Sequence, residues 1–277
     1  KLRLISKYGI GLDKIDLDFA TQNKIPVTFC PGVNHTTVAE HTFALLLAIS
    51  RNLCEEANHT RNGEWIRLTG NEIMGKTLSV IGFGRIGKEV ALRAKAFQMD
   101  VKAYDPYWDN EFAKTHQITR AASLEEVLQD ADVLSLHLNL SENTHHLINS
   151  ASLKLIRDGA ILLNCARGEL VDTQSIVEAL KTGKLKGYGS DVLDIEPPPP
   201  DHPLLHAPGS LITPHIGSRT YESVVRQATM ATQNLINVLN GEPALAQANE
   251  TASIALAPKL SLFSVPSKEI ILLSINS

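Results

Sequence analysis

The sequence predicts an α/β fold: a doubly wound parallel sheet with helices on both faces, and a second, smaller α/β domain that is split along the chain. Between residues 76 and 193, short apolar runs alternate with stretches of helical periodicity. Ala131–Leu138 is mostly apolar and Ala160–Asn164 is apolar almost throughout, which is typical of parallel strands buried on both faces. The length of 277 residues fits one elaborated domain or two modest ones.

Five strands and four helices are predicted in this block. The strands are expected at residues 76–81, 101–104, 131–138, 160–164 and 186–193, and the helices at 87–97, 123–129, 150–157 and 172–181. Ser123 with Glu126 three residues later is the capping-box pattern that begins a helix, and Gly183 ends the last helix. Strands joined through helices run parallel, so this order predicts the parallel sheet.

Two flanking pieces do not continue the alternation and are predicted to form the second domain. The first contains a strand and a helix near 37–49, and the second contains a loop and a helix near 221–239. The helix 37–49 is apolar on nearly every face, which favours burial in an interdomain or dimer contact. The predicted organisation is 1–51 and 208–246 for the second domain, 52–207 for the central domain, and 247–277 as a tail without an assigned role.

The composition excludes several classes of function. Lysine and arginine number 26 against 30 aspartates and glutamates, so the net charge of −4 predicts neither nucleic-acid nor membrane binding. The longest apolar run, Phe43–Ile49, is far shorter than the ~20 residues of a membrane span. Three cysteines without a CxxC pair indicate a reducing, cytoplasmic compartment. No metal site is predicted, because no Cys or carboxylate cluster has ligand spacing.

A glycine-rich loop carries a specific signal for a dinucleotide. The strand KTLSVI is followed by GFGRIG at 82–87 and then by a helix. In this Rossmann arrangement Gly82 makes the tight turn, Gly84 lets the backbone approach a pyrophosphate, and Gly87 lets the helix pack on the strand. The helix N-terminus, which begins with Arg85 and Ile86, faces the phosphates.

An aspartate at the end of the next strand predicts which dinucleotide binds. Asp105 lies 23 residues after Gly82, close to the spacing of about 20 expected for a ribose-binding acid. A carboxylate there accepts hydrogen bonds from the ribose hydroxyls and repels a 2′-phosphate, so NAD is the predicted cofactor. The competing interpretation is a structural glycine turn with a surface aspartate.

Three further segments each follow a predicted strand, where ligands of parallel sheets bind. They supply Arg167, Glu196 and His215. Hydride transfer from a secondary alcohol needs a base for the hydroxyl proton, and an imidazole at His215 titrates near neutrality. Glu196 would fix the histidine tautomer, and Arg167 can grip a carboxylate with two parallel hydrogen bonds. Taken singly, each segment also fits an ordinary loop.

Together these motifs resemble the D-isomer-specific 2-hydroxyacid dehydrogenases, and among them the phosphoglycerate dehydrogenase branch. The resemblance covers about residues 3–245 and is carried by KYGIGLDKID (7–16), PGVNHTTVAEH (31–41), KTLSVIGFGRIG (76–87), AYDPY (103–107), NCARGELVD (164–172), DVLDIEP (191–197) and TPHIGS (213–218). It implies NAD-dependent interconversion of a D-2-hydroxy acid and its 2-keto acid, with 3-phosphoglycerate as one substrate to test. It also implies that Arg167, Glu196 and His215 are the catalytic set.

The resemblance implies further binding residues. The substrate carboxylate is expected on backbone N–H groups near Ile10 and Gly11, with Asn34 also on the substrate side. The other cofactor-binding residues that it implies are Val38, Cys165, Ala166 and Asp191 toward the nicotinamide, and His137 and Thr144 toward the adenosine.

The resemblance also implies a shortened chain and an oligomer. Members of the family carry several dozen residues before the equivalent of Lys1, so an N-terminally truncated chain with an incomplete substrate domain is expected. Members are usually dimers through the cofactor domain, so a homodimer is expected. Two alternative functions stay open: an NAD(H)-binding protein of the corepressor kind, and a non-catalytic cofactor-binding protein.

Overall fold

The computed structural model describes residues 2–251. Its elements in chain order are β1 (Ile5–Ser6), α1 (Leu17–Gln22), β2 (Val27–Thr28), α2 (His35–Ser50), α3 (Leu53–Arg61), β3 (Thr77–Ile81), α4 (Arg85–Ala96), β4 (Asp100–Tyr104), α5 (Asn110–Thr115), β5 (Thr119–Arg120), α6 (Leu124–Leu128), β6 (Val133–Leu136), α7 (Ser150–Leu153), β7 (Ala160–Asn164), α8 (Thr173–Lys181), β8 (Leu185–Ser190), α9 (Pro203–His206), β9 (Ser210–Ile212) and α10 (Tyr221–Leu239).

Seven strands form one parallel sheet, which confirms the predicted α/β fold with a parallel sheet. The strand order is β5-β4-β3-β6-β7-β8-β9, and every pair in it is parallel. The order reverses between β3 and β6. In sheets of this kind ligands bind beyond the carboxyl ends of the strands at that reversal.

Alternating strand residues show that both faces of the sheet are covered. Leu134 and Leu162 belong to one buried cluster, whereas Val133 and Ile161 belong to another. Because successive side chains of a strand point to opposite faces, the two clusters lie on opposite sides of the sheet. This explains why the central strands β6 and β7 are buried at every residue instead of alternating between buried and exposed residues.

Side-chain caps fix the beginnings of several helices. The predicted cap at Ser123 is present, since its hydroxyl accepts a hydrogen bond from the Glu126 N–H. Asp172 and Asp109 cap α8 and α5 in the same way. Such caps satisfy N–H groups that have no partner within the helix.

The chain divides into two compact units whose boundaries differ from the predicted ones at 51 and 207. Among the described residues, the larger unit comprises Gly32–Val224, and the smaller one comprises residues 2–31 together with 225–251. Helix α2 therefore belongs with the sheet. Strand β9, which the prediction placed in the second domain, is the seventh strand of the sheet.

Two glycines of β8 explain why α2 packs against the sheet. A β-carbon at Gly187 would lie 2.5 Å from Cγ2 of Ile49, and one at Gly189 would lie 3.1 Å from Cβ of Leu45. The missing side chains leave room for the helix, whose apolar surface is used within this unit. The interdomain or dimer role of helix 37–49 stays a prediction.

The smaller unit has its own short sheet and core. Strands β1 and β2 pair in parallel, with Ile5 opposite Val27. Ala20, Ile25 and Val27 form its buried cluster. The Asn249 side chain accepts a hydrogen bond from the Val27 N–H at 2.8 Å, so this unit extends beyond the predicted end at 246. The rest of the predicted tail, from residue 252, lies outside the described residues.

No helix within residues 2–251 is both long enough and apolar enough to cross a bilayer.

Candidate active site

The three predicted catalytic residues follow three neighbouring strands of the larger unit. Arg167 comes just after β7, Glu196 follows β8, and His215 follows β9. Because these strands are adjacent and parallel, the loops after them leave the same edge of the sheet. The topology thus brings together residues separated by up to 48 positions in the sequence.

Glu196 and His215 are in direct contact. Nδ1 of His215 lies 2.7 Å from Oε2 of Glu196. This hydrogen bond raises the pKa of His215 above its ordinary value, although partial burial opposes the change. Burial works to raise the pKa of Glu196, but the hydrogen bonds from His215 and from the Leu193 N–H outweigh it and lower that pKa. The pair is therefore an ionised carboxylate beside an imidazole that holds its proton more tightly.

Arg167 adds a positive charge beside this pair. Its guanidinium is close enough to act on both partners, and it lowers the pKa of Glu196 and of His215. The loop that carries it is fixed by Asn164, which is fully buried. The Asn164 amide donates to the Arg167 carbonyl oxygen at 2.8 Å and accepts from the Ala166 N–H at 3.1 Å.

The backbone at His215 is in the left-handed region, with φ at +54°. Non-glycine residues rarely adopt this conformation, so the surroundings must enforce it. The His215 N–H donates to the main-chain oxygen of Asp191 at 2.9 Å. The Asp191 carboxylate accepts from the N–H groups of Ile216 and Gly217 at 2.8 and 2.6 Å.

The glycine loop between β3 and α4 has the geometry that its sequence predicts. Gly82 has φ at +95°, and a β-carbon there would lie 2.4 Å from the His137 carbonyl oxygen. A β-carbon at Gly87 would lie 2.0 Å from the Gly82 oxygen, whereas one at Gly84 would meet no described atom within 4 Å. The first and third glycines are required by the fold, and the second leaves an open approach to the backbone.

Asp105 stands at the end of β4, beside this loop. Its carboxylate accepts hydrogen bonds from the Phe83 and Tyr107 N–H groups, each at 2.7 Å. The aspartate therefore braces the glycine loop, which its spacing in the sequence did not reveal. Arg85 and Ile86 begin α4, and Arg85 lies near Gly32, whose added β-carbon would be 3.9 Å from Nε.

Two buried polar atoms support the fit of a dinucleotide to these residues. Nδ1 of His137 and Oδ1 of Asn34 have no hydrogen-bond partner among the described residues. Burial lowers the pKa of His137 to about 3, so its ring is neutral, and its Nε2 contacts Ser135 Oγ at 2.8 Å. Buried polar groups normally have partners. His137 follows β6 at the reversal of strand order, so a ligand bound there would complete its hydrogen bonding.

The other predicted site residues lie in several places. Ile10 and Gly11 belong to the smaller unit, while Val38 is buried on α2. Thr144 holds its own turn, because its hydroxyl donates to the Asn139 oxygen at 2.8 Å. Burial raises the pKa of Cys165 to about 12, so its thiol stays protonated.

Two residues that position the site were missed by the sequence analysis. A β-carbon at Gly168 would lie 2.0 Å from the main-chain carbon of Leu193, so only glycine lets the Arg167 loop approach the loop of Glu196. Asn164 anchors the same loop through the two hydrogen bonds described above. The glycine directly after Arg167 was a signal for a close approach that could have been used.

The arrangement suits proton transfer next to a bound anion. An imidazole whose Nδ1–H is anchored on a carboxylate leaves Nε2 for exchange of a proton. A neighbouring guanidinium attracts a carboxylate or a developing negative charge. Within residues 2–251, no three His, Cys, Asp or Glu side chains converge as a metal site requires.

Comparison with known proteins places this geometry in a family. Residues 43–217 match the profile described as "D-isomer specific 2-hydroxyacid dehydrogenase, NAD binding domain". The chain is 40% identical over 244 residues to D-3-phosphoglycerate dehydrogenase of Methanocaldococcus jannaschii, covering 87% of this chain and 46% of that protein. It is 39% identical over 248 residues to glyoxylate reductase of Korarchaeum cryptofilum, covering 87% and 74%.

A solved structure supports the same assignment. The NAD-dependent formate dehydrogenase of Staphylococcus aureus, solved in complex with NAD, superposes with a TM-score of 0.82 at 30% identity, over 91% of this chain and 76% of that one. The chain spans about half the length of the phosphoglycerate dehydrogenase that it matches. It belongs to the D-isomer-specific 2-hydroxyacid dehydrogenase family and contains the NAD-binding domain of that family.

Proposed function

We propose that this protein interconverts a D-2-hydroxy acid and its 2-keto acid, with NAD as the hydride carrier. The observation that carries the proposal is the 2.7 Å contact between His215 Nδ1 and Glu196 Oε2, with Arg167 beside it. When bound, NAD accepts the hydride from C2 of the hydroxy acid or returns it to the keto acid.

The residues of this chain supply the binding and the proton transfer. Arg167 holds the substrate carboxylate and polarises the oxygen on C2. In the oxidation direction Nε2 of His215 takes the hydroxyl proton, and Glu196 stabilises the imidazolium that forms. In the reduction direction the same Nε2 donates the proton to the oxygen as the hydride arrives. The loop 82–87 holds the pyrophosphate, and Asp105 binds the adenosine ribose.

The relatives point to two substrate types. The matched proteins include phosphoglycerate dehydrogenases and glyoxylate reductases. The identities to the two are nearly equal, 40% and 39%, so glyoxylate is one substrate to assay. The keto acid of 3-phosphoglycerate is the second. A homodimer remains part of the proposal, and light scattering over a range of concentrations tests it.

The decisive experiment measures NADH oxidation at 340 nm with a panel of 2-keto acids. His215→Asn is the informative variant, because asparagine tolerates the left-handed backbone conformation while lacking the imidazole. We expect turnover to fall by about 10²–10⁴-fold, the usual contribution of a positioned acid or base. His206→Asn, at an exposed histidine of the same unit, should leave turnover unchanged.

Two results would contradict the proposal. Equal turnover in wild type and His215→Asn removes the acid/base assignment. NADH binding without turnover of any keto acid favours the corepressor-like or non-catalytic alternatives instead.

A further inference from the structure

A histidine outside the proposed proton-transfer pair is linked to the loop that carries His215. His41 lies on α2, and its side chain is 17% exposed. Its Nε2 is 2.8 Å from Oγ1 of Thr213, which in turn lies 2.6 Å from Oδ1 of Asp191. His41 and Thr213 are separated by 172 residues in sequence, so the contact exists only because α2 packs against the carboxyl edge of the sheet.

The chemistry of the three groups fixes the direction of these hydrogen bonds. An ionised carboxylate can only accept, and a threonine hydroxyl has one hydrogen. Burial works to raise the pKa of Asp191, but its hydrogen bonds from His41, Thr213, Ile216 and Gly217 lower that pKa overall. Thr213 therefore donates to Asp191, and His41 must donate to Thr213 through an Nε2–H.

Asp191, the last of these three residues, holds the backbone around His215. Its carboxylate accepts hydrogen bonds from the N–H groups of Ile216 and Gly217, and its main-chain oxygen accepts one from the His215 N–H. A β-carbon at Gly217 would lie 2.8 Å from Oδ2 of Asp191 and 3.5 Å from Cδ2 of His41, so the loop lies directly on this pair. The left-handed φ of His215 is thus enforced by contacts that converge on Asp191.

We propose that His41 is a positioning residue for His215. Its Nε2–H donates to the Thr213 hydroxyl, which directs the hydroxyl hydrogen toward Asp191. The loop is thereby held so that Nδ1 of His215 reaches Glu196. The expected effect on turnover rests on the function proposed above, whereas the expected effect on the position and pKa of His215 does not. His41 itself exchanges no proton with the substrate in this account.

The first experiment compares two substitutions of His41. His41→Gln keeps an N–H donor near the position of Nε2, and His41→Leu removes it. The pKa of His215 is measured by NMR in protein with labelled histidine, assigned with His215→Asn. The charged groups that act on this imidazole are Glu196, Asp191 and Arg167, and neither substitution replaces any of them.

We expect the raised pKa of His215 to persist in His41→Gln and to fall toward 6.5, the ordinary histidine value, in His41→Leu. With an active wild type, kcat should fall by about tenfold to a hundredfold in His41→Leu, the usual effect of misplacing a catalytic group.

A second pair of variants tests whether His41 acts through Thr213. Thr213→Ser keeps the hydroxyl, and Thr213→Val removes it with little change of shape. We expect Thr213→Ser to behave as wild type and Thr213→Val to lower the pKa of His215. Adding His41→Leu to Thr213→Val should have little further effect, since only the longer 3.4 Å contact of His41 Nε2 with Asp191 Oδ1 then remains. If His41→Leu does not fold, the two Thr213 variants still test whether this hydrogen-bond path positions His215.

An unchanged pKa of His215 in both His41→Leu and Thr213→Val would overturn the proposal. A changed pKa in a wild-type protein without turnover would leave the positioning role standing and reject the dehydrogenase activity. The two failures are therefore distinguishable.

Discussion

The Nδ1 atom of His215 lies 2.7 Å from Oε2 of Glu196, although the residues stand 19 positions apart in the sequence. The hydrogen bond raises the pKa of the imidazole, so the histidine holds its proton at a pH where a free imidazole has lost it. If His215 is the proton donor that we propose, donation to a keto acid should continue to higher pH, so the pH dependence of the rate tests this contact.

Glu196→Gln is expected to move the pH profile of keto-acid reduction. Reduction needs a protonated His215, so its rate is full below the raised pKa and is lost as pH rises through it. Without the carboxylate the pKa falls, and the loss of rate begins at lower pH. The test is kcat/KM for the keto acid against pH in both proteins. If the midpoint of the profile lies at the same pH in wild type and Glu196→Gln, the contact with Glu196 does not set the pKa of His215.

Arg167→Lys is expected to weaken use of the keto acid while sparing NADH binding. Lysine keeps the charge but cannot form two parallel hydrogen bonds with a carboxylate. Losing one charged hydrogen bond costs about 1.5–3 kcal/mol, so kcat/KM should fall by about 10- to 100-fold. Arg157→Lys, at a half-exposed arginine paired with Asp132, is the matched control and should have no effect.

Asp105→Asn is expected to relax the preference for NADH over NADPH. The variant loses the charge that repels a 2′-phosphate and one of the two acceptors used by Phe83 and Tyr107. We expect the ratio of kcat/KM for NADH to that for NADPH to fall by roughly tenfold or more. Asp130→Asn changes an exposed aspartate and serves as the control. An unaltered ratio in Asp105→Asn would argue against a ribose-binding role.

Gly187→Ala is expected to destabilise the larger unit. The new methyl group would lie 2.5 Å from Cγ2 of Ile49, and overpacking of this kind costs about 1–3 kcal/mol. The same substitution in an Ile49→Ala background should cost less, because the clashing methyl is gone. Urea unfolding of the four proteins measures this coupling. Additive effects would mean that α2 does not pack on β8 as described.

The sheet could be predicted from the sequence because its strands are continuous apolar runs. VLSL in β6 and AILLN in β7 are buried on both faces, and no other element type explains such runs between helices. The short helices α1, α3 and α5 carry weaker patterns and were not predicted. Helices α1 and α5 begin at side-chain caps, Asp16 and Asp109, whereas α3 begins without one.

The supporting contacts of the site could not be predicted, because they join distant segments through the fold. Arg167, Glu196 and His215 each had a motif of their own. The contact of His41 with Thr213 and the approach of Gly168 to Leu193 depend on which strands are neighbours. The packing of α2 on the sheet within the larger unit could not be predicted for the same reason, since glycines about 140 residues away in β8 create the space for it.

The most direct test of the central claim follows the hydride itself. NADH deuterated at C4 of the nicotinamide is incubated with each 2-keto acid, and the product is analysed by mass spectrometry. The account predicts one deuterium on C2 of the hydroxy acid with wild-type protein, and loss of that product when His215 is replaced by asparagine. Absence of deuterium at C2 with every keto acid would contradict it.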